Sequence, residues 1–117
     1  MIRFYGYSKC SSCRKAKKFL QDHAIPFDEI DITVQPPEET VLKKVLTNGD
    51  YELKHLFNTS GQLYREMDIK NKIGSLSQKD LLNLLSRHGK LVKRPLITDG
   101  RRHSVGYREE TLRQTWL

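Results

Sequence analysis

The chain of 117 residues has only two cysteines and one tryptophan, and no apolar run near the ~20 residues a membrane-spanning helix needs. No spanning helix is therefore expected. The start, Met1 to Cys10, shows strand-like alternation where a signal peptide would carry a long apolar stretch, and this points to the cytoplasm. In a reducing compartment two cysteines are poor candidates for a structural staple, so redox or metal chemistry moves forward. There is no internal repeat, low-complexity tract or dividing linker, and one domain over residues 1–117 is expected. A long heptad run is also missing, so a monomer is expected. Charge of one sign is missing locally. Residues 1–20 hold six basic side chains and no acid, residues 21–40 hold six acids and no base, and Arg87 to Arg108 is opposed only by Asp99. This segregation suits an anionic substrate or an acidic protein surface, or else a solvated face. No aromatic-interleaved basic stripe is present, so direct nucleic-acid binding is not expected.

The pattern that is present reads as strand, helix, strand, several helices, hairpin and helix. Ile2, Phe4 and Tyr7 suggest a first strand broken by Gly6. A helix from about Ser11 to His23 would bury Cys13, Ala16, Phe19 and Leu20, spaced by three and four. Ile30, Ile32 and Val34 alternate with Asp31 and Thr33, which predicts a second strand that begins late and runs to Val34. Pro36 and Pro37 with Glu38 and Glu39 open a helix carrying Val41, Leu42, Val45 and Leu46, ended by Asn48–Gly49. Short helical turns are expected at Leu53–Phe57 and Leu63–Met67, separated by a turn at Asn58–Gly61. Ser77 with Asp80 starts another helix, whose leucines 81, 82, 84 and 85 face inward and whose stop is Gly89. Pro95 precedes a strand to Asp99, Asp99–Gly100 turns a hairpin, and a last helix buries Leu112 and Trp116.

The chemistry concentrates at Cys10–Ser11–Ser12–Cys13, where the first strand gives way to the first helix. Cys10 would face the unpaired N–H groups and positive dipole end of that helix, and Lys9 and Arg14 add cations; each favours thiolate over thiol. Cys13 lies on the same side one turn later and could resolve a mixed disulfide formed at Cys10. The backbone N–H groups of Ser11, Ser12 and Cys13 could receive an oxyanion or thiolate. The competing reading is two ordinary cysteines, with Cys13 packing the helix. Zinc is disfavoured, because His23, His55, His88 and His103 are scattered and form no ligand spacing with the cysteines. Arg94–Pro95 is the second feature. A cis Pro95 against Cys10 would offer a substrate-docking edge and let Arg94 hold an oxyanion or the Cys10 thiolate; a trans proline beside an exposed arginine is the alternative.

SKCSSCRKAKKFL, the NTSG turn followed by Tyr64–Arg65, KRPLITDG and the closing VGYRE together resemble the arsenate reductase family of the glutaredoxin/thioredoxin superfamily. The branch they are most similar to holds the redox-responsive regulator Spx and Spx-like proteins. The resemblance implies an α/β, thioredoxin-like fold with a four-stranded mixed sheet flanked by helices. A helical insertion at about 36–90 would separate a βαβ half from a β-hairpin half, and Pro95 would be cis. It implies Cys10 as the catalytic cysteine and Arg94 as a catalytic partner, with Pro95 shaping the pocket. The family's arsenate reductases use two further arginines. Asn58 stands where one is expected, and Tyr107 where the other is, with Arg108 beside it. Those enzymes also draw a second thiol from glutathione, whereas Cys13 makes an internal disulfide the simpler cycle. The reading is thus a thiol–disulfide oxidoreductase with a Cys10/Cys13 redox-active disulfide and no resident cofactor or metal. Its partners would be a disulfide substrate and an external thiol reductant such as glutathione, thioredoxin or glutaredoxin. The Spx branch implies instead a redox-sensing regulator that binds the RNA polymerase alpha subunit, and arsenate reduction is a further alternative.

Overall fold

The computed structural model describes residues 1–48 and 50–117; Gly49, expected to help end a helix, lies outside the described residues. A four-stranded sheet of order β2-β1-β3-β4 forms from β1 (Arg3–Gly6), β2 (Asp28–Asp31), β3 (Leu96–Thr98) and β4 (His103–Val105). β1 and β2 run parallel, joined by α1 (Ser11–Asp22), while β1/β3 and β3/β4 are antiparallel. Between β2 and β3 lie α2 (Glu39–Thr47), α3 (Gln62–Glu66), α4 (Ile69–Ile73) and α5 (Gln78–Arg87), with 3₁₀ turns at Leu53–Leu56 and Gly89–Leu91. The chain closes with α6 (Glu109–Trp116).

The central strands are covered on both faces, and side-chain alternation divides the core in two. Phe4 pairs in register with Ile97, and both point to a cluster with Cys13, Ala16, Phe19 and Leu20 of α1 and Leu112 and Trp116 of α6. Tyr5 pairs with Leu96, and these point the opposite way, to Leu42, Val45, Leu56, Phe57, Leu81, Leu82 and Leu85. Period-2 alternation in β1 and β3 meeting period-3.6 stripes in the helices is what assembles the sandwich. The Trp116 indole N–H donates to the buried Ser104 hydroxyl at 2.9 Å, tying α6 to β4.

The structure departs from these expectations in β2, at Gly6 and at α4. The second strand begins at Asp28, paired with Arg3, and ends at Asp31. Beyond it Asp31 Oδ1 accepts from the Thr33 N–H and hydroxyl, and the Asp31 carbonyl accepts from Val34 and Gln35, so a turn wins over the Ile32/Val34 alternation. Val34 is 80% exposed as a result. Gly6 does not break β1: it pairs with Asp31, and a Cβ there would crowd the Phe4 ring at 2.5 Å and approach Cys13 Sγ at 3.5 Å. Gly89 stands at the C′ position of α5 as expected, but without the positive φ common there. His88 caps α5, and Gly89 is buried where a Cβ would collide with the Ile32 carbonyl oxygen. α4 has no counterpart in the sequence reading, because Ile69 and Ile73 offer too short a stripe to register as periodic.

The β3–β4 turn is held by Asp99. Its Oδ1 accepts from the Arg101 and Arg102 N–H groups, and Arg102 Nε donates to Oδ2 at 2.9 Å. Partial burial acts to raise the carboxyl pKa, but the two backbone N–H groups and the Arg102 guanidinium outweigh it and hold Asp99 down at about 2. Because the folded value lies below the unfolded one, the contribution is fully present above pH ~4 and lost as pH falls toward 2. Asp99→Asn is therefore expected to cost about 1–2 kcal/mol near neutrality and almost nothing near pH 2. Paired thermal melts of the two proteins across that range measure it.

Candidate dithiol site

Cys10 occupies the N-cap of α1 with extended backbone (φ −99°, ψ 119°), so its side chain folds back over the first turn. Its Sγ accepts the Cys13 N–H at 3.3 Å, satisfying one of the donors that a helix start leaves unpaired. The Cys10 N–H donates to the Tyr7 carbonyl at 3.1 Å, and Arg14 Nη1 donates to the Ser8 carbonyl at 3.1 Å; together these fix the loop that delivers Cys10. Both cysteines are free thiols, Cys10 half-buried and Cys13 buried. Ser11 is exposed and Ser12 half-buried in the first turn of α1, where the helix presents its N-terminal amides.

The two thiols have different environments. Burial, first, and a hydrogen bond with Cys10, second, push the Cys13 thiol up to about 12; the Tyr7 backbone hydrogen bond and the Arg94 charge oppose this without cancelling it. Cys13 thus keeps its proton at neutral pH, and Cys10 is the one that reaches solvent. The Arg94–Pro95 peptide is cis, Pro95 is buried at the head of β3, and the Arg94 guanidinium stacks over the Tyr7 ring with its Cζ 5.5 Å from the centroid. A cavity of about 230 Å³ opens beside Cys13, lined by Tyr7, Ser8, Arg14, Lys17 and Glu29.

Not every residue chosen from the sequence joins this cluster. Asn58 is engaged by its own turn: its carbonyl accepts from Gly61, its Oδ1 from Ser60, and its N–H donates to Leu91. Arg108 is exposed and lines a separate cavity of about 520 Å³ with Tyr51, Arg101, Arg102 and His103. Its neighbour Tyr107 turns the other way and lies 6.0 Å under Lys15 Nζ. Conversely, Tyr7, expected as a strand residue, lies just beyond β1 and contacts both halves of the site. Its position three residues before Cys10 was visible; its stacking on Arg94 was not, because 87 residues separate the two in sequence.

A β1–α1–β2 unit followed by a β-hairpin, with its dithiol at the first helix N-terminus, places the protein among thioredoxin-like folds. Within that class the ArsC family model matches residues 5–115, and the chain belongs to the ArsC family. The uncharacterized protein YusI of Bacillus subtilis is 44% identical over 115 residues, covering 98% of both chains. The global transcriptional regulator Spx of the same organism is 31% identical over 114 residues, covering 97% of this chain and 86% of that one. The crystal structure of a possible arsenate reductase from Streptococcus mutans superposes with a TM-score of 0.87 at 45% identity, over 97% of this chain and 98% of the other. Among the described residues no helix is long and apolar enough to cross a membrane.

Proposed function

We propose that this ArsC-family chain is a thiol–disulfide oxidoreductase in which Cys10 attacks and Cys13 resolves. The observation that carries the reading is the asymmetry of the pair: an N-cap Cys10 reaching solvent, against a buried Cys13 whose thiol is pushed up to about 12. The Cys10 thiolate attacks one sulfur of a substrate disulfide, that S–S bond breaks, and the distal thiolate leaves as the Cys10 mixed disulfide forms. Capping Cys10 removes its charge and its hydrogen bond, two of the influences that raise the Cys13 pKa. Cys13 therefore becomes more acidic at the step that needs its thiolate. It then attacks Cys10 Sγ, the proton it loses balances the departing substrate thiolate, and two electrons have passed to substrate. An external thiol reductant returns two electrons, and Cys13 regains the one proton it lost, which restores the Cys10 thiolate and Cys13 thiol. Arg94 and Pro95 border the reaction space, and the Ser11 and Ser12 amides face the incoming group.

Redox titration with thiol labelling tests this. We expect one reversible two-electron transition linking Cys10 to Cys13, and alkylation of the reduced protein at Cys10 well before Cys13. A reduced protein labelled equally at both, with no internal disulfide at any potential, would defeat the assignment. Arsenate is not the substrate proposed. Asn58 and Arg108 do not complete a cationic cage around Cys10, and a divalent oxyanion depends on that charge complementarity.

The 31% identity to Spx over 97% of the chain favours one further reading, a redox switch that binds the RNA polymerase alpha subunit. Stoichiometric, oxidation-sensitive capture of that subunit without turnover of disulfide would support it over the enzyme.

A further inference from the structure

A second concavity, of about 430 Å³, lies on the helical insertion, and its chemistry is uniform. Phe57 and Tyr64 meet edge-on with centroids 6.3 Å apart and, with Ile73, form an apolar floor. Lys54, Lys70 and Lys93 stand around it with His55, and no carboxylate lines it among the described residues. Lys54 approaches Glu52 at 3.3 Å, but both side chains are well exposed, so that pair leaves most of its field available. The groove is also coupled to the dithiol site. Phe57 forms an isolated β-bridge with Val92, and the Lys93 N–H donates to the Leu56 carbonyl at 2.8 Å, which locks the floor onto the segment leading to Arg94 and Pro95. Thr59, on the rim, belongs to the same turn as Asn58.

From these features we infer that the groove between the Leu53–Leu56 turn, α3 and α4 is a docking subsite for an acidic protein segment with an apolar or aromatic side chain. The identity of that segment as part of a protein presented to Cys10 rests on the function proposed above. Charge complementarity sets the class of occupant: three lysines around an apolar floor match carboxylates flanking a hydrophobic anchor. Lys93 is one residue from Arg94, so a chain seated in the groove can continue to the dithiol in extended form. Small thiols such as glutathione would need only Cys10 itself, whereas a protein would use both Cys10 and the groove.

The test separates docking from chemistry. Fluorescent peptides of equal length, acidic, neutral or basic around one phenylalanine, are made in a cysteine-free form and as thionitrobenzoate mixed disulfides. Anisotropy with the cysteine-free peptides is expected to rank acidic over neutral and basic. Lys54→Gln/Lys70→Gln should weaken acidic binding roughly tenfold while leaving attack on neutral dithiodipyridine unchanged. Release of thionitrobenzoate by Cys10 should show the same preference and the same loss. Equal binding of the three peptides would overturn the inference. So would an acidic preference that survives the double substitution, which would trace it to overall charge, or an oligonucleotide of matched charge binding through the same lysines as tightly. If the acidic peptide binds but no mixed disulfide yields thionitrobenzoate, the groove stands and the dithiol reading falls. If all three mixed disulfides react at one rate and none binds, the dithiol stands and the groove falls.

Discussion

Cys10→Ser is expected to lower disulfide reduction on the order of 10⁴-fold or more, and Cys13→Ser is expected to stop the cycle at a stable mixed disulfide on Cys10. The two substitutions separate because the positions differ. Cys10 is the N-cap, reached from solvent and fixed by the Tyr7 carbonyl, and a serine there can keep the capping bond to the Cys13 N–H while losing the nucleophile. The fold should therefore survive Cys10→Ser, and unchanged circular dichroism would show that the loss is chemical. Cys13 is buried against Phe4 and Ala16, with Gly6 leaving room for its sulfur. Without it the first step still occurs and the second has no attacking thiol. Mass spectrometry after incubation with a disulfide peptide should show one adduct on Cys13→Ser and none on Cys10→Ser. Turnover retained by Cys10→Ser would remove Cys10 as the nucleophile.

The order of elements and the buried stripes of the helices were legible in the sequence because they rest on local periodicity, whereas the four-stranded mixed sheet was implied only by the family resemblance. The 3–4 spacing of Cys13, Ala16, Phe19 and Leu20, and of Leu81, Leu82 and Leu85, states which side of each helix is buried, and these residues are buried. The dithiol at the first helix was legible for the same reason, since an N-cap and its next turn are three residues apart. Where side chains competed with periodicity, the pattern misled. Asp31 spends its carboxylate on the Thr33 N–H and hydroxyl, and β2 ends four residues before the last residue of the segment, Gln35, that its carbonyl captures. Long-range partners were not legible at all. Nothing near Tyr7 announces that Arg94 will cover its ring, and nothing in VGYRE states that Tyr107 and Arg108 part company toward different cavities. The lysines of the groove come from three segments, at positions 54, 70 and 93, so their convergence appears only when Val92 bridges to Phe57.

Gly89→Ala should be among the most damaging single-methyl changes available in this chain. Gly89 opens the 3₁₀ turn after α5 and sits against the backbone just beyond β2, where an added Cβ would strike the Ile32 carbonyl oxygen and lie 2.7 Å from the Ile32 carbonyl carbon. The obstacle is main chain held by its own ladder, since the Ile32 N–H donates to the Gly6 carbonyl at 2.9 Å, so it cannot rotate aside as a side-chain tip would. Overpacking of that kind costs about 1–3 kcal/mol, which for a domain of this size lowers the melting temperature by roughly 4–12 °C. Lys90→Ala, one residue on and exposed, should stay within about 0.5 kcal/mol of the parent and serves as the control. The strain has two outlets. If Ile32 yields, the end of β2 shifts and the dithiol is untouched. If the 89–95 segment yields, Val92 and Lys93 move and carry Arg94 off Tyr7, because that segment is one short connection into β3. The bonds favour the second: β2 is paired along its length to β1, whereas the 89–95 segment is anchored through a single β-bridge and a few hydrogen bonds. Gly89→Ala should therefore slow the attack of Cys10 on disulfides as well as lower stability, while the Cys10–Cys13 disulfide still forms, since α1 holds both cysteines. A variant that melts with the parent would show that the Ile32 contact relaxes at no cost.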